Sequence, residues 1–68
     1  MANVKRTTRD NKGNVLYTVL MTHASHASAA GRFQAGVNGS LIVGKESCAA
    51  VTTVRCPLGD VHKFEEVR

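Results

Sequence analysis

Sixty-eight residues with a formal net charge of +4, no Trp, one Tyr and two Phe describe one small domain with little aromatic mass for a core. No stretch approaches the ~20 consecutive apolar residues of a spanning helix, which excludes a helical membrane anchor. Two cysteines are too few for a disulfide scaffold.

The charge is concentrated at the start of the chain. Residues 1–13 hold Lys5, Arg6, Arg9 and Lys12 against Asp10 alone, whereas the remainder is nearly balanced, with five basic and four acidic residues. The opening residues lead into no apolar core of the secretory type, so the expected compartment is the reducing cytoplasm.

Taken in chain order, the first feature is a hairpin. Asn11-Lys12-Gly13 fits a three-residue loop, a type I turn followed by a glycine in the left-handed region, with Asp10 facing Asn14. Continuing that register sets Arg9 against Val15, Thr7 against Tyr17 and Lys5 against Val19 on one face, with Thr8–Leu16, Arg6–Thr18 and Val4–Leu20 on the other. Tyr17 is thereby expected between Lys5 and Arg9. The first strand is polar and basic, as suits a sheet edge. The second, Val15–Met21, is apolar on both faces and is expected at the sheet centre.

Residues 22–36 are rich in Ala and read as a helix started by Thr22 or Ser25 and ended at Gly36. His26, Ala29, Ala30 and Phe33 recur at helical spacing and define its inner face, with Phe33 as the anchor. Asn38-Gly39 reads as a turn and Ser40–Gly44 as a short buried strand. Cys48–Cys56 is rich in Val and Thr and reads as one strand. Pro57-Leu58-Gly59-Asp60 turns the chain. Val61–Arg68 reads as a final strand, or alternatively as a short helix capped by Asp60 with Val61, Phe64 and Val67 inward. The strand is preferred. The order ββαβββ implies the α+β class, a mainly antiparallel sheet with one helix packed on one face.

The chemistry-bearing residues form no catalytic or metal pattern. His23, His26, His62, Cys48 and Cys56 include the ligand types zinc favours, but there is no CxxC pair, and cysteines eight residues apart on one strand lie too far apart to share a metal or a disulfide. Without a metal these residues read as surface histidine near the helix start and small buried thiols. Neither a nucleophile motif nor a phosphate-binding glycine loop is present, and Glu65-Glu66 point to opposite faces of a strand. No enzyme activity, metal or cofactor is expected.

The basic hairpin is the strongest candidate site. Lys5, Arg6, Arg9 and Lys12 can neutralise phosphates, and Tyr17 can stack a base or hold a guanidinium. In size, basicity and plan of one helix on a small sheet, the chain resembles compact phage-encoded inhibitors such as some anti-CRISPR proteins. That likeness of type implies a protein that acts by occupying a surface, and it carries over no residue. The reading is a small non-enzymatic binding protein whose hairpin engages nucleic acid or the acidic surface of a nucleic-acid-handling protein.

Two other classes stand beside it. One is a self-assembling adaptor, with Leu41, Ile42, Val43 or the Val15–Met21 strand near a homo-oligomer interface, since a core this thin often needs a partner subunit. The other is a sponge for a small phosphorylated ligand at the helix start, near Ser25 and Ser28, or at a subunit interface.

Overall fold

The computed structural model describes residues 1–36, 43–57 and 59–67. They form the strands β1 (Ala2–Arg9) and β2 (Val15–His23), the helix α1 (His26–Gly36), and the strands β3 (Gly44–Ser47), β4 (Val51–Arg55) and β5 (Val61–Val67). The strands make one antiparallel sheet in the order β2-β1-β5-β4-β3, and α1 packs on one face of it. This is the expected α+β plan.

The β1–β2 and β4–β5 hairpins are built from the same turn. Asp10 N donates to Asn14 O (3.0 Å) and Gly13 N to Asp10 O (3.1 Å). Cys56 N donates to Asp60 O (3.0 Å) and Gly59 N to Cys56 O (3.0 Å). Gly13 and Gly59 take positive φ, +89° and +93°, which closes each three-residue loop at no steric cost to a residue without Cβ. The Asp10 carboxylate adds hydrogen bonds from the backbone N–H groups of Lys12 and Asn14, both 2.9 Å.

The sheet order reverses the placement expected of the first two strands. β1 is flanked on both sides, by β2 and β5, and β2 lies at the edge. Charge on β1 does not protect an edge there. It alternates between the two faces of an inner strand, and β5 returns along the free side of β1. The hairpin register is shifted as well. Arg9 does face Val15, but Thr8 faces Tyr17, so Leu16 is an extra residue on β2. Beyond that bulge every pair moves by one: Thr7–Thr18, Arg6–Val19, Lys5–Leu20 and Val4–Met21.

The core lies between the sheet and α1. Val4, Val54, Phe64, Ala29 and Ala30 are buried, with Met21 and Phe33 packed against them. The helix face is the one its spacing defines, and its Ala residues let the backbone approach closely enough for Phe33 to reach Phe64 (ring centroids 5.6 Å) and His62 (4.4 Å). The helix starts later than Thr22. Ser25 caps it, its Oγ accepting from Ser28 N at 3.1 Å.

Two further expectations are corrected on the C-terminal side. Cys48 is not on β4 but in the turn before it, where its N–H donates to Val51 O at 2.7 Å, so the two cysteines do not share a strand; both are free. β5 is a strand, and its inward residues are His62 and Phe64, with Val67 39% exposed. The expected turn at Asn38-Gly39 and most of the expected strand Ser40–Gly44 lie outside the described residues, and β3 begins at Gly44.

Candidate nucleic-acid interface

Cross-strand partners share a face of the sheet, so the register sorts the cations. Val4, Arg6 and Thr8 of β1 face the helix together with Phe64 and His62 of β5. Lys5, Thr7 and Arg9 therefore point to the open face. There Arg9 and Arg55 both stand beside Val61, one on each side, and Lys63 stands beside Thr7 and Thr53. Lys5 lies between Leu20 and Glu65, and Glu65 Oε1 is 3.8 Å from Lys63 Nζ. The open face thus gathers Lys5, Arg9, Arg55 and Lys63 against Glu65 and Glu46. Exposed Lys12 sits in the adjacent turn.

At the turn end this face is concave. The two turns touch, so closely that a Cβ on Gly59 would lie 2.7 Å from Asn11 Cβ. Between them and Val43 lies an open cavity of about 460 Å³, lined in part by Arg9, Asp10, Arg55, Cys56 and Val61. The Arg9 guanidinium donates to Gly13 O at 3.1 Å, which holds it along the turn while its other N–H groups remain available. Arg9 and Arg55, on strands two apart, are separated by roughly 10 Å at the backbone. The Cys56 thiol at the rim is pushed up in pKa by burial and then by Asp60, which keeps it protonated and poorly nucleophilic.

Two of the five expected site residues lie elsewhere. Arg6 and Tyr17 are on the helix face, because the Leu16 bulge moves Tyr17 opposite Thr8. The Arg6 guanidinium carbon lies 5.5 Å from the Tyr17 ring centroid and 5.0 Å from that of Phe33, and its Nε is buried without a hydrogen-bond partner among the described residues. Arg6 is therefore a cation held between two rings, contributing to packing. Tyr17 cannot sit between Lys5 and Arg9. Sequence reasoning missed Arg55 and Lys63, which join Lys5 and Arg9 only through the pairing of β5 with both β1 and β4. Their alternation with buried Val54, His62 and Phe64 is the signal that places them outward.

Two histidines are buried: His26 (7% exposed), on the inner helix face that its spacing defines, and His62 (6%) on β5. His26 Nε2 lies 3.2 Å from Ala49 O, which can only accept, so Nε2 donates there and Nδ1 accepts from the Thr52 hydroxyl at 2.6 Å. Glu66 Oε2 stands 3.5 Å from both His26 N and Nε2, so a carboxylate of the chain itself occupies the helix start. His62 Nδ1 is bonded to the Thr8 hydroxyl at 3.0 Å. Both rings tie the layers together. Among the described residues no three His, Cys, Asp or Glu side chains gather in a metal-binding arrangement. No helix of the described residues is long and apolar enough to cross a membrane.

Comparison of the chain with protein-family models, with curated proteins and with solved structures gives no match.

Proposed function

We propose that this is a non-enzymatic binding protein that engages the phosphate backbone of nucleic acid through the open sheet face and the first turn, with Lys5, Arg9, Lys12, Arg55 and Lys63 as the contacting cations. The observation that carries the reading is the pair Arg9 and Arg55 flanking Val61 beside the concave turn end. Arg suits this role because its planar fork can donate two hydrogen bonds to one phosphate. Among the described residues no aromatic ring lies on this face, so base stacking has no platform there. The favoured ligand is a duplex held by its backbone, with little sequence preference.

Titration of labelled duplex DNA at several salt concentrations tests this. Five phosphate contacts give a log–log slope of at most roughly −4 to −5 per chain. Arg9→Glu with Arg55→Glu removes most of the affinity and flattens that slope. Tyr17→Ala leaves binding unchanged. Duplex affinity unaffected by the double reversal sinks the reading, as does wild-type protein that ignores nucleic acid and binds an acidic protein surface.

A further inference from the structure

β2 is an unusual edge. An exposed edge strand is normally guarded by charge, proline or shortness. The opposite edge of this sheet has such protection: β3 is four residues long and carries Lys45 and Glu46. β2 runs for nine residues and has no charged residue, Pro or Gly from Val15 to Thr22. Its side chains are poorly covered on both faces: Tyr17 and Val19 on the helix face and Val15 and Leu20 on the open face, with Leu16 at the bulge, are between 36% and 73% exposed, Leu20 the most of them.

We propose that the β2 edge is a homodimer interface in which two copies pair their β2 strands antiparallel about a two-fold axis at Leu20, giving one ten-stranded sheet. The strand itself argues for a second copy as the occupant. Beyond the Leu16 bulge the regular ladder is Tyr17–His23, and its midpoint is Leu20. An antiparallel pair centred there sets Leu20 against Leu20, Val19 against Met21, Thr18 against Thr22 and Tyr17 against His23. Apolar meets apolar at the centre, hydroxyl meets hydroxyl at Thr18–Thr22 and ring meets ring at Tyr17–His23, with no Asp, Glu, Lys or Arg in the ladder.

Within that ladder each copy brings exposed Tyr17, Val19 and Leu20, and pairing covers part of each together with the free backbone groups of the edge. The area is below the ~1,000 Å² at which stable specific interfaces begin, so the dimer is weak and reversible. A cavity of about 330 Å³ lined by Asn3, Leu20, Met21, Thr22 and Val67 lies beside the axis and gives the second Leu20 room to close. Symmetric pairing within one sheet keeps like faces together, so both helices lie on one side and both open faces on the other.

Sedimentation equilibrium at about 100 µM and a cysteine scan test this. Wild type has a mass of about 15 kDa, twice the 7.3 kDa of one chain. Leu20→Lys, at a site that packs against nothing in the core, returns a folded monomer. In a background with Cys48→Ser and Cys56→Ser, Leu20→Cys forms an intermolecular disulfide across the axis. Thr18→Cys does not, because copies of residue 18 stand four positions apart, roughly 13 Å, which is beyond disulfide reach. A monomeric wild type, a Leu20→Lys dimer, or crosslinking at residue 18 but not at 20 overturns the proposal.

Discussion

The β1–β2 and β4–β5 hairpins share one turn and differ in nearly everything the turn connects. Asp10–Asn14 and Cys56–Asp60 have the same pair of backbone hydrogen bonds and the same left-handed glycine. Yet β4–β5 lies within the sheet, with Thr52, Val54, His62 and Phe64 buried beneath the helix, whereas β1–β2 ends in an edge strand whose apolar side chains are mostly exposed. A turn fixes how two strands meet. It does not fix how deeply they are buried, which depends on what returns to cover them.

The sharpest way to break that comparison is to truncate one apolar side chain in each hairpin. Phe64 is fully buried against Phe33 and Val4, so Phe64→Ala leaves a cavity and costs about 3–5 kcal/mol. In a domain of this size that consumes most of the stability. Leu16 is half exposed at the bulge, and Leu16→Ala changes stability by no more than about 0.5 kcal/mol. Urea unfolding followed by circular dichroism checks both. Equal losses would mean that the β2 edge is covered as deeply as β5.

The turns supply a smaller contrast. Gly13→Ala meets no neighbour within 4 Å and carries only the strain of positive φ, about 1–2 kcal/mol. Gly59→Ala carries the same strain and in addition sets its Cβ 2.7 Å from Asn11 Cβ, so one turn must shift, for a total of about 3 kcal/mol. The double variant Gly59→Ala with Asn11→Gly recovers the overlap part and leaves the strain. If Gly13→Ala and Gly59→Ala melt together, the two turns do not touch.

What could be read from the sequence follows the same division. Local chemistry was legible: the two turns announce themselves through their glycines, and the inner face of α1 through the spacing of His26, Ala29, Ala30 and Phe33. Thr52 and Val54 alternate inward as a strand requires. Sheet order was not legible, because Lys5, Arg6 and Arg9 look alike whether a strand is at an edge or has one open face. The apolar run of β2 looks like a central strand for the same reason. The Leu16 bulge has no signature of its own, yet it moved Tyr17 away from Lys5 and Arg9 and placed it over Arg6. The open-face cluster needed Arg55 and Lys63, which join it only through long-range pairing.

The smallest contrast is in acid. Asp10, in the first turn, has its carboxyl held below the ordinary value of 3.8, chiefly by the hydrogen bond from Asn14 N–H and also by that from Lys12 N–H. Its contribution is complete above that value and is lost as pH falls through the lower folded pKa. His62, in β5, is shifted in the same direction for a different reason. Burial lowers its pKa below 6.5, the Arg6 guanidinium lowers it further, and Asp60 opposes both. The folded state therefore resists a proton that the unfolded chain accepts. Stability is full above about pH 6.5 and falls as the pH drops from there towards the folded pKa. Melting temperatures should accordingly decline in two stages as the pH falls, the first beginning below about pH 6.5 from His62 and the second below about pH 3.8 from Asp10. His62→Gln removes the first stage and keeps the second, and Asp10→Asn does the reverse. A first stage that survives His62→Gln would assign that proton to another group and free His62 from its buried place beside Phe33 and Thr8.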